Sequence, residues 1–276
     1  MKVSWHKFDG VEAQVFEPAG GASSVVLFCP GFPGMGGTVF EQRHAAALVE
    51  EGYAVYVIKH KGTKLSGGFA PILVNNAARL MAGRKIRETH IGGGAATITE
   101  WLEEPLVALN VLSTKYDSIH VIGNSFGALS SLWSMTCSDA PIDKIKSLLL
   151  YAGAQGMDAG DFGIMRIWKP EYLMVSRITD KVSLNDPFDI VATLKNTYHA
   201  LPDRVKSLPE QIAITYLVVE RDELLNVNDT KAFQAAIGGR GKIVMDAVDH
   251  AWPEQGLLAH DTPNYTTEDL LALIRG

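Results

Sequence analysis

SIHVIGNSFGALSSLWSMTC, residues Ser118 to Cys137, begins as an apolar run of strand length, turns at a glycine-bounded serine and continues with helical spacing. The turn is Gly123-Asn124-Ser125-Phe126-Gly127, with the helix expected from about Phe126. A strand that passes sharply into a helix forces its central residue into a strained backbone conformation. Side chains two residues to either side would collide there, so glycine is needed at both. The five letters alone arise readily by composition. The buried strand before them and the helix after them make them informative, because Ser125 then stands at the rim of a sheet. The plainer reading, Ser125 as an ordinary helix cap, leaves the downstream partners unexplained.

Outward from that turn the same unit recurs. Val3 to Phe8 and Val11 to Phe16 favour extended structure, and Asp9-Gly10 between them is a type I′ hairpin signal. SSVVLFC is an apolar strand that breaks into PGFPGMGG, and TVFEQRHAAALVEE from Thr38 to Glu51 has helical periodicity. YAVYVIK, SIHVIG, IKSLLLYAG, ITYLVVE and KIVMD read as further strands. Helices are expected over ATITEWLEEPLVALNVLSTKY despite Pro105, near Asn228 to Ile237, and from about Thr266 to Ile274. Fully apolar strands alternating with amphipathic helices predict an α/β fold: a mostly parallel, doubly wound sheet with an antiparallel N-terminal hairpin. Catalytic groups then belong at the carboxyl ends of the strands. Two stretches, about 60 to 95 and 154 to 210, exceed an ordinary connection and read as insertions.

A serine hydroxyl is a weak nucleophile until an imidazole takes its proton. Of the eight histidines, His6 lies in the hairpin, His44 in a helix, His120 in the strand before the serine and His199 in an insertion. His250 follows the last strand, in VDHAW, and is the candidate base, with His260 as its substitute. The imidazole needs a carboxylate on its other nitrogen. Asp222, in VERDELLN directly after ITYLVV, fits that place. Glu220 falls within the strand, and Glu223 and Asp229 read as solvated or helix-starting acids.

A strand, a G-x-S-x-G turn, a helix, then Asp after a late strand and His after the last one resembles the α/β-hydrolase superfamily over nearly the whole chain. The resemblance makes Ser125 the nucleophile, Asp222 the acid and His250 the base. It also implies an oxyanion hole of two backbone N–H groups, one from Phe126 and one from the loop after the third strand. In Cys29-Pro30-Gly31-Phe32-Pro33-Gly34 the prolines cannot donate; Phe32 is the expected second donor, with Gly31 letting the loop approach the substrate. Two departures stand out. The lipase-type HGGG is absent, and the loop after the fourth strand reads Lys59-His60-Lys61-Gly62-Thr63-Lys64-Leu65-Ser66 in place of an Asp and a glycine-bounded Ser. The insertion 154–210 stands where related hydrolases carry a cap, dividing the core into 1–153 and 211–276. Its Met165 and Trp168, with Trp252 beside His250, are candidate walls for the substrate pocket, although such side chains also form a cap's own core.

Composition narrows the rest. The 276 residues are 47% apolar and 20% charged, with a net charge of −6, which disfavours nucleic acid as a partner. The charge is uneven: from Lys59 to His90 seven cations face the single acid Glu88, leaving +6 there and −12 elsewhere. Over an active site this segment would favour a carboxylate or phosphate on the substrate; a solvated basic loop is the plainer reading. Cys29 and Cys137 are too few and too isolated for a disulfide framework or a zinc site. The start MKVSWHKFDG has no apolar segment behind its charges, and no window of about 18 apolar residues occurs. The expectation is a cytoplasmic serine hydrolase with no metal or organic cofactor, acting on a small ester, thioester or related acyl compound, and able to form a homo-oligomer. A lyase, cyclase or acyltransferase on the same fold, or a catalytically idle small-molecule binder, are the rival readings.

Overall fold

A computed structural model describes residues 1–32, 39–61, 80–83, 96–157, 187–219, 227–246 and 266–275. Among the described residues eight strands make one sheet: β1 (Lys2–Phe8), β2 (Val11–Glu17), β3 (Ser24–Cys29), β4 (Ala54–Lys59), β5 (Ser118–Asn124), β6 (Ile145–Tyr151), β7 (Ala213–Val219) and β8 (Lys242–Asp246). Their spatial order is β1-β2-β4-β3-β5-β6-β7-β8. From β4 to β8 every pairing is parallel, while β2 runs against both β1 and β4. The hairpin turns at Asp9 and Gly10, both with positive φ (47° and 87°), the conformation that matches the twist of the two strands it joins.

Val25 to Cys29 in β3 and Leu148 to Tyr151 in β6 are buried at every successive position. Neighbouring residues of a strand point to opposite faces, so both faces of the sheet are covered. Helices α1 (Val39–Glu50), α2 (Ile98–Ser113), α3 (Phe126–Met135), α4 (Pro187–Lys206), α5 (Val227–Ala236) and α6 (Thr267–Arg275) flank it. Helix α1 packs on α6, where His44 Nδ1 meets Thr267 Oγ1 at 3.0 Å. Helices α2, α3 and α4 pack on one another.

Helix α2 starts on a capping box: Thr97 Oγ1 accepts the Glu100 N–H at 3.1 Å and Glu100 Oε2 accepts the Thr97 N–H at 2.7 Å. The Lys61 ammonium, and then the Thr97 N–H, hold the Glu100 carboxyl below its ordinary range. Pro105 is accommodated inside α2 on its buried face. Of the interval expected to form a cap, a short 3-10 turn at Ala154–Gly156 opens it and α4 closes it, with Ile190, Leu194, Tyr198, Leu201 and Val205 buried. Residues 158–186 lie outside the described residues. No helix among the described residues is long and apolar enough to cross a membrane.

Candidate active site

Strand register sets the edge on which the site stands. Asn124, Tyr151, Leu217 and Val244 occupy one row across β5, β6, β7 and β8. Ser125 is the next residue after that row, and β7 and β8 end two residues past it, at Val219 and Asp246. On the other side β3 pairs Cys29 with Gly123, so Gly31 falls level with Ser125.

Ser125 has φ 51° and ψ −114°, a conformation L-residues rarely adopt, and it directly precedes α3. Three backbone hydrogen bonds lock it. Its N–H donates to Tyr151 O at 2.9 Å, and its own carbonyl accepts from Ala128 at 3.1 Å and Ala154 at 3.0 Å. The flanking glycines are required by space. A Cβ on Gly123 would stand 2.5 Å from the Gly127 carbonyl oxygen, and one on Gly127 only 2.0 Å from that of Cys29. Backbone of β3 therefore lies against the first turn of α3, and a side chain at either glycine would push them apart. Gly31 completes the contact from β3's side: its Cβ would lie 3.0 Å from Ser125 Cβ and 3.6 Å from Oγ.

The two expected oxyanion donors flank this point. Phe126 is the first residue of α3, where the N–H is not used by the helix's own ladder and the helix dipole favours negative charge. Phe32 follows Gly31, half-buried, with its ring 5.9 Å from that of Trp101. Cys29, at the end of β3, is buried, which pushes its thiol up to about 12 and leaves it inert at neutral pH.

One cluster beside the site was not anticipated from the sequence. His60, one residue past β4, is fully buried; its Nδ1 lies 2.6 Å from Glu104 Oε2, and its Nε2 donates to Pro30 O at 3.2 Å. Glu104 Oε1 accepts the Lys61 N–H at 2.7 Å. The His60 ring stacks on Trp101 (centroids 4.4 Å apart, planes at 10°) and meets Phe126 edge-on at 5.4 Å. Both nitrogens of His60 are thus engaged, which removes it as a base for Ser125. The sequence did hold a signal. Glu104 shares the buried stripe of α2 with Trp101, Pro105 and Ala108, and a carboxylate on a core stripe needs a partner.

The remaining expected residues, Asp222, His250, Trp252, Trp168 and Met165, lie outside the described residues, as do His260, Glu220 and Glu223. Asp229 stands in the first turn of α5, the place of a helix-starting acid. His120 is in β5 beside Ser147, its imidazole pushed down by burial, and His199 is exposed on α4. Among the described residues no group of three or more His, Cys, Asp or Glu is placed to hold a metal ion.

The architecture is shared with known structures. Est1E from Butyrivibrio proteoclasticus, with ferulic acid bound, superposes with a TM-score of 0.57 at 15% identity, over 99% of this chain and 96% of that one. An esterase from Pyrococcus furiosus gives 0.52 at 14% identity, over 88% and 80%. A thermostable carboxyl esterase from Bacillus coagulans gives 0.52 at 12% identity, over 88% and 89%. The chain has the α/β-hydrolase fold. No protein-family model matches the sequence, and neither does any curated protein. Within the α/β-hydrolase fold, Ser125 occupies the strand-to-helix turn after β5, and the positions of Asp222 and His250 follow β7 and β8 in the chain.

Proposed function

We propose that this protein is a serine hydrolase that cleaves a carboxylic ester, thioester or related acyl bond through an acyl-Ser125 intermediate. The observation that carries the reading is the backbone of Ser125: a non-glycine residue at positive φ, packed between glycines that admit no side chain, at the N-terminus of a buried helix. Strain of that kind persists only where its surroundings over-determine it, and here it presents a hydroxyl at the sheet's carboxyl edge. The esterases among the similar structures support the same chemistry.

In this mechanism Ser125 Oγ attacks the acyl carbonyl while His250 takes its proton, with Asp222 orienting the imidazole and offsetting its charge. The N–H groups of Phe126 and Phe32 receive the developing oxyanion. Collapse of the tetrahedral intermediate breaks the bond to the leaving group, which takes the proton from His250. Water activated by the same imidazole then releases the acid and restores Ser125. Trp252, Trp168 and Met165 line the acyl pocket, and a small molecule is the substrate.

A fluorophosphonate probe followed by peptide mass spectrometry is expected to place the adduct on Ser125. Across a panel of esters and thioesters, Ser125→Ala should lower kcat by about 10⁴-fold or more. Turnover that survives this substitution, or an adduct on another serine, rejects the assignment.

A further inference from the structure

The His60–Glu104 pair has no place in the mechanism above, yet one of its hydrogen bonds reaches the loop that mechanism needs. Both residues are out of solvent, at 0% and 3% exposure. A buried pair of this kind is a poor stabiliser compared with apolar side chains of the same volume, so its presence calls for another account. Pro30 has no N–H and Gly31 has no side chain, so the start of the loop can be held only through the backbone groups that remain, the Pro30 carbonyl among them. His60 Nε2 donates to that carbonyl. The same oxygen lies 2.7 Å from where a Cβ on Gly127 would be, so it sits against the first turn of α3.

The ring that makes this bond is fixed in turn. Glu104 holds the ring's orientation through Nδ1, and Trp101, anchored by its Nε1–H on Lys61 O at 2.8 Å, supports its face. Trp101 also packs near Phe32, and His60 packs on Phe126. The cluster therefore contacts both residues whose N–H groups serve the oxyanion.

We propose that the buried His60–Glu104 pair positions the oxyanion hole, holding the Phe32 loop through the Pro30 carbonyl at the level of Ser125. The inference rests on the reading of Ser125 as the nucleophile. The pair touches no reacting atom; it sets the height of a donor whose alignment matters only as charge builds on the carbonyl oxygen.

The test uses the full-length protein and its best ester substrate, with kcat expressed per site titrated by fluorophosphonate, so that misfolded protein does not count. His60→Phe keeps the stack on Trp101 and removes the bond to Pro30. It is expected to lower kcat about 10- to 100-fold, the scale of a small misplacement at the reacting centre, with KM changed less than about threefold. Affinity for a boronic acid, whose adduct on Ser125 is tetrahedral and anionic, should fall by a similar factor. Glu104→Leu should fall likewise, and Glu104→Gln, which restores all three hydrogen bonds without the charge, should recover most of the loss. Should His60→Phe fail to accumulate, Trp101→Phe serves instead: it shortens the support under the ring, and kcat should drop severalfold at constant KM. Unchanged kcat per titrated site in these variants overturns the proposal, as does no recovery by Glu104→Gln. A wild-type protein that neither turns over an ester nor reacts with the probe overturns the nucleophile reading and this one together, a result distinct from an active wild type with insensitive variants.

Discussion

Asp9 and Ser125 are non-glycine residues with nearly the same φ, 47° and 51°, and the protein treats them in opposite ways. Asp9 sits at the tip of the β1–β2 hairpin, exposed, and the Gly10 beside it has nothing within 4 Å of where a Cβ would be. There the left-handed conformation answers a local need, the twist of two strands, in residue types that adopt it readily. Ser125 is held by hydrogen bonds from β6 and from the turn after it, with glycines on both sides pressed against backbone. Its conformation belongs to the packing of three elements at once. The contrast separates a backbone angle that shapes a turn from one that the surrounding packing imposes against the residue's own preference.

Substitutions can break that contrast. Gly127→Ala should be the most damaging, because its methyl would meet the Cys29 carbonyl at 2.0 Å and backbone of β3 or α3 must shift to admit it. A loss of about 3 kcal/mol or more is expected in denaturant unfolding, and wild-type stability would show that β3 and α3 are free to separate. Ser125→Gly should act in the other direction. Relief of backbone strain outweighs the added freedom of the unfolded chain, so stability should rise by about 1 to 2 kcal/mol while ester turnover disappears. A less stable Ser125→Gly protein would mean that Ser125 carries no strain. Gly10→Ala should cost least, about 1 kcal/mol, since the dihedral alone is penalised there. A loss as large as that of Gly127→Ala would erase the distinction between the two sites.

Much of this was legible before any coordinates. The parallel strands were readable because burial on both faces makes continuous apolar runs, and the hairpin because Asp9-Gly10 encodes its own turn. The elbow at Ser125 was readable because its steric demand falls on two nearby glycines. The His60–Glu104 pair was not. It joins residues 44 positions apart on a strand end and a helix, and periodicity reports which way a residue faces but not what it meets. His60 followed an ordinary strand, and the odd residues around it registered only as a departure from the family's usual loop. Glu104 was the readable half, a carboxylate on a buried stripe whose partner is revealed only by where the residue after β4 meets α2.

The chain leaves the sheet after β4 and after β6 on the edge where Ser125 stands, and both departures open the long connections of this sequence. Insertions and deletions there leave the pairing of β3, β4, β5 and β6 untouched. Loop length can accordingly drift at both departures on a scaffold that has no need to refold around each change.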